Sequence, residues 1–87
     1  MGNNFPNPFN PSTKIEYTIP AGIDVEMFIR LDVFDVLGKK VQTVVDEKQK
    51  SGTYKVELSS EELGSGIYFY RLRAGDYTET RKMVLLR

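Results

Sequence analysis

The chain has 87 residues, with 12 Lys and Arg balanced by 12 Asp and Glu, and no His, Cys or Trp. That is one domain held by roughly 4–13 kcal/mol. A disulfide framework, a thiolate metal site and His-based acid–base chemistry are excluded, and a neutral chain exerts no general pull on nucleic acid or an anionic membrane.

Met1-Gly2 reads as an added start, as if the chain were a piece of a longer protein. No secretory signal peptide is expected, because Asn3 to Ser12 (NNFPNPFNPS) is polar and rich in proline. Pro6, Pro8 and Pro11 fix φ and remove backbone donors, which excludes a helix or a central strand. Residues 1–12 are expected to form a linker or arm, with Phe9 to Pro11 docked and Asn3 to Phe5 mobile; residues 13–87 form the domain.

Thr13 to Ile19 alternates, with Ile15, Tyr17 and Ile19 on one face and Lys14, Glu16 and Thr18 on the other. That is a strand with one wet side. Pro20-Ala21-Gly22 ends it. The strongest β signal follows, from Met27 to Val45. Ile29, Leu31 and Val33 alternate with Arg30 and Asp32, then Asp35-Val36-Leu37-Gly38 breaks the run as a tight turn. Val41, Val44 and Val45 resume it, so a hairpin is expected in the middle of a sheet. Phe28 and Phe34 fall on the face opposite Ile29, Leu31 and Val33. Either they mark a docking surface, or the arm or a second sheet covers them.

Asp46 to Gly52 is polar and is expected to be a loop. Thr53 to Leu58 is a further alternating strand, with Tyr54, Val56 and Leu58 inward. Ser59 to Gly64 carries the one helix-like signal, a capping box from Ser59 to Glu62, with Leu63 as a buried plug. Gly66 to Arg73 and Tyr77 to Leu86 are strands joined by Gly75-Asp76. A two-residue loop there places Tyr68 opposite Met83, Phe69 opposite Lys82 and Tyr70 opposite Arg81. Tyr68, Tyr70 and Leu72 are expected to point inward. Val84-Leu85-Leu86 reads as buried on both sides. Six or seven short strands with almost no helix predict an all-β, antiparallel sandwich of immunoglobulin-like architecture.

No catalytic or cofactor-binding set emerges, so the chain is not expected to be an enzyme. Asp24, Glu26, Asp46 and Glu47 are the candidates for a calcium-binding loop, but no EF-hand spacing is present. Tyr17, Tyr54, Tyr68, Tyr70 and Tyr77 offer either a sugar-binding platform or core packing; their alternate spacing favours the core.

Taken together, FPNPFNPSTKIEYTIP, LDVFDVLGKKVQTVVDE and SGTYKVELSSEELGSGIYFYRLRAGDYTETRKMVLLR resemble the type A C-terminal sorting domain of the bacterial type IX secretion system. The related Ig-like domain of the flagellar hook-capping protein shares the pattern. The shared motifs are Pro6-Asn7-Pro8, the turn Asp35 to Gly38, Gly52-Thr53-Tyr54, Gly66-Ile67-Tyr68, and the basic-then-apolar ending at Arg81 to Leu86. The resemblance implies a C-terminal signal on a secreted cargo, with no cofactor. Its partners would be the outer-membrane translocon, a shuttle protein and a sortase-like peptidase. The destination would be the cell surface or medium, by way of the periplasm.

By analogy, Asp35, Gly38, Lys82, Met83, Val84, Leu85 and Arg87 are the candidates for partner recognition. Pro6, Pro8, Gly52, Tyr54, Gly66 and Tyr68 are the structural motif residues. An exposed edge strand could also pair with a partner or with a second copy. The competing readings are a passive Ig-like spacer or assembly module and a carbohydrate-binding appendage of a hydrolase. A sorting domain must end its chain, and Arg87 reads as a true end.

Overall fold

The structure, a computed structural model, describes residues 12–19, 26–59 and 63–86. Six strands follow one another: β1 Ser12–Ile19, β2 Met27–Phe34, β3 Lys40–Gln49, β4 Gly52–Ser59, β5 Gly66–Ala74 and β6 Tyr77–Leu85. All pairings are antiparallel. β1 and β4 make a two-stranded sheet, and the other four make a sheet of order β3-β2-β5-β6. The chain is thus an all-β sandwich.

The period of two decides what lies between the layers. Ile15, Tyr17 and Ile19 from β1 and Leu58 from β4 meet Ile29, Leu31, Val33, Tyr70, Leu72, Met83 and Leu85 of the larger sheet. Each fully buried aliphatic side chain contributes about 1.5–3 kcal/mol. Tyr17 stacks on Tyr54 with ring centroids 5.4 Å apart, and its hydroxyl donates to Gln49 Oε1 at 2.6 Å. Leu63 is buried, as expected of a plug. The helical turn proposed for Ser59 to Gly64 centres on residues 60–62, outside the described residues.

The β5–β6 register is the expected one, including Tyr68 opposite Met83, Phe69 opposite Lys82 and Ala74 opposite Tyr77. Gly75 takes a φ of +60° at the first loop position, as a tight hairpin turn requires.

Four expectations are corrected. β2 lies inside the larger sheet, but its hairpin partner β3 is at the edge. The polar stretch from Asp46 does not loop out: β3 continues to Gln49, paired with Met27, and only Lys50 and Ser51 connect it to β4. Charged side chains are ordinary on an edge strand, so low hydrophobicity misreads this one. Val84–Leu86 is not buried on both sides. Met83 and Leu85 are fully buried, Val84 is half-buried, and Leu86 is 54% exposed, because alternate residues face away from the smaller sheet. Tyr77 is exposed rather than in the core, and its hydroxyl donates to Glu79 Oε1 at 2.6 Å.

β3 also carries two register shifts against β2, which leave Val41 and Val44 without direct partners. Two bulges account for the uneven spacing of Val41, Val44 and Val45. They put Val45 in the core and leave Val41 on the surface.

Candidate functional site

The turn between β2 and β3 is built by one side chain. Asp35 Oδ1 accepts the backbone N–H of Leu37 and of Lys39, each at 2.9 Å. The backbone closes the same loop, with Gly38 N–H donating to Asp35 O at 3.0 Å and Asp35 N–H to Lys39 O at 2.9 Å. Gly38 sits at φ +85°, where a side chain would be strained. The result is a rigid tip that holds two apolar side chains in water: Val36 is 62% exposed and Leu37 90%. A lone exposed apolar residue is unremarkable, but a pair on a preorganised turn is a ready contact point.

Register carries this turn to the end of the last strand. Phe34 pairs with Phe69, and Phe69 with Lys82. Beyond that row, β2 passes into the turn, β5 starts at Gly66, and β6 ends at Leu85 opposite Gly66. The turn and the end of β6, more than forty positions apart in the sequence, therefore occupy one end of one sheet. A groove of about 280 Å³ lies there, lined in part by Phe34, Asp35, Gly38, Phe69 and Arg71. The Arg71 guanidinium sits 4.6 Å from the centroid of the Phe34 ring, a cation–π contact.

The recognition candidates divide by where their side chains go. Lys82 is exposed and Val84 half-buried on the outer face. Met83 and Leu85 are fully buried. In the folded domain a partner can reach only the backbone of those two. Arg87, Pro6 and Pro8 lie outside the described residues, as does Asp24.

The two Gly-x-Tyr motifs have a shared physical basis. Tyr54 donates its hydroxyl to Lys50 O at 2.7 Å, and Tyr68 to Gly64 O at 2.8 Å. In each case the tyrosine reaches back four residues and ties down the loop that enters its strand, a device also seen in immunoglobulin-like sandwiches. Gly52 and Gly66 stand two residues before each tyrosine, both at φ +151°.

Sequence reasoning missed two features of the outer face. Asp32 is 4% exposed although its strand position faces away from the core. It accepts from Arg30 Nε at 3.0 and 3.3 Å and from Thr43 Oγ1 at 2.8 Å. The second feature is a charge imbalance, signalled by Arg30, Arg71, Arg73 and Lys82 all falling at non-core strand positions. Among the described residues, no group of three or more Asp, Glu, His or Cys is placed to hold a metal ion. No helix of the described residues is long and apolar enough to cross a membrane.

The Asp35–Gly38 turn and the end of β6 thus sit together at one end of a small all-β sandwich. The family model for the secretion system C-terminal sorting domain matches residues 3–86, and the chain belongs to that family. Such domains are the C-terminal sorting signals of type IX secretion, and the chain is one of them. No curated protein and no solved structure matches it.

Proposed function

We propose that this sorting signal is read in its folded state, through the end of the four-stranded sheet where the Asp35–Gly38 turn and the last residues of β6 converge. Leu37 and Val36 supply apolar contact, Lys82 supplies charge, and the edges of the groove beside Arg71 supply shape. The reader is a component of the outer-membrane translocon or its shuttle protein. A sortase-like peptidase then removes the domain upstream of β1, and the cargo stays at the cell surface or is released. Weak pairing of isolated copies through a sheet edge belongs to the same reading and would show as concentration-dependent sedimentation.

The observation that carries this reading is the convergence of two sequence-distant stretches at one sheet end, with an apolar tip held rigid in water. The spacer and sugar-binding readings gain no comparable support. Phe34 in particular offers its ring to a guanidinium rather than to a sugar.

The test is a fusion of residues 3–87 to an exported fluorescent cargo in a bacterium with the type IX system. The wild-type domain should deliver cargo outside the cell, and Leu37→Ser and Lys82→Ala should strand it in the periplasm while remaining folded. Normal delivery by both variants would refute this choice of surface. Removing β6 altogether is a poor probe, because Met83 and Leu85 belong to the core.

A further inference from the structure

We propose that the outer face of the four-stranded sheet is a docking surface for an acidic polypeptide. The inference stands on the chemistry of that face and does not require the reading surface proposed above. Directly paired residues share a face of a sheet. By register, the outward-pointing charged positions are Arg30 and Asp32 on β2, Lys40, Asp46 and Lys48 on β3, Arg71 and Arg73 on β5, and Lys82 on β6. Six cations stand against two carboxylates, an excess of four on one face of a chain whose formal net charge is zero. The outer face of the β1–β4 sheet is different: Lys14 pairs with Glu57 and Glu16 with Lys55, so it is balanced.

The cations are also available. Asp32 is taken up by Arg30 and Thr43. Among the described residues Lys40, Lys48, Arg73 and Lys82 enter no ion pair. Lys40 and Lys82 flank the Phe34–Phe69 pair in the register, and Lys48 lies opposite Phe28, which is 50% exposed. Arginine and aromatic side chains together are the composition of protein-binding surfaces. Four strands span roughly 15 Å, so a docked chain feels the whole excess within about one or two Debye lengths.

The probe is fluorescent poly-L-glutamate, titrated with the 87-residue chain at about 50 mM salt. Binding should weaken steeply as salt rises. Lys40→Glu/Arg73→Glu should weaken it by about tenfold or more, whereas Lys14→Glu/Lys55→Glu, with the same change in net charge, should stay within about twofold. Lys40→Gln/Arg73→Gln should weaken it about threefold and decides the matter if the reversed pair does not fold. Absence of polyglutamate binding, or equal losses in the two reversed pairs, would overturn the proposal. So would tighter binding to heparin or to phosphatidylglycerol vesicles than to polyglutamate, since the occupant would then be a glycan or a membrane.

Discussion

Asp35 holds the β2–β3 turn and stands beside the surface proposed to be read, so its two roles must be separated. Replacing it with Ala removes both bonds to the N–H groups of Leu37 and Lys39. The turn is solvent-exposed, so water takes over those donors and each lost bond costs about 0.5–1 kcal/mol rather than a buried-group penalty. The sum is about 1–2 kcal/mol, comparable to losing a helix cap. For a domain of this size, 1.5 kcal/mol lowers Tm by roughly 6–12 °C and shifts the urea midpoint by about 0.5–1.5 M. Asp35→Asn keeps an oxygen at the same place and loses only the charge, so its stability should stay within about 0.5 kcal/mol of the wild type. Parallel urea melts of the three proteins supply the numbers. An Asp35→Ala midpoint equal to that of the wild type would refute the claim that the carboxylate builds the turn. If Asp35→Asn is stable but sorts poorly, the charge itself is read; if it sorts normally, Asp35 serves only to hold Val36 and Leu37 in place.

Further outcomes follow from the same contacts. Tyr68→Phe and Tyr54→Phe each remove one hydroxyl-to-carbonyl bond and should each cost about 0.5–1.5 kcal/mol in urea unfolding, with faster amide exchange in the tied loop. Met83→Ala empties a fully buried core position and should cost about 2–5 kcal/mol in urea unfolding. Glu79 accepts from Tyr77 and lies beside the Arg81 guanidinium, which together hold its pKa below the ordinary 4.5. A lowered folded pKa means that its contribution is present above that ordinary value and lost as pH falls through the folded one. Tyr77→Phe should therefore shrink the stability lost between about pH 7 and about pH 3 in urea melts. Burial raises the Tyr17 pKa above 10.0, so its contribution is present below pH 10 and lost as pH rises through the folded value. An alkaline melt of Tyr17→Phe should show a smaller loss, with the part due to Tyr77, whose pKa its bond to Glu79 also raises, still present.

Where alternation was strict, the sequence alone sufficed to place the fold. Ile15, Tyr17 and Ile19 went inward on period alone, and Gly75-Asp76 pinned the β5–β6 register because a two-residue loop admits only one. β3 defeated the same logic. Its two bulges break the period at Val41 and Val44, and its charged end looks like a loop until the pairing with β2 is known. A continuous apolar run such as Val84–Leu86 fits burial on both sides and equally fits one buried face beside an exposed face that is itself apolar. The turn half of the candidate site was legible from Asp35 and Gly38, whose chemistry is local. The basic face was not, because a neutral total says nothing about how register sorts charges between two sides of a sheet.

The central claim is that the folded end of the four-stranded sheet meets the secretion apparatus. The direct measurement is photocrosslinking in secreting cells, with a benzophenone amino acid at position 37 in one fusion and at position 55, on the opposite sheet, in another. Adducts with translocon or shuttle components from position 37 and none from position 55 are the predicted result. Adducts from position 55 alone, with both fusions secreted normally, would contradict it.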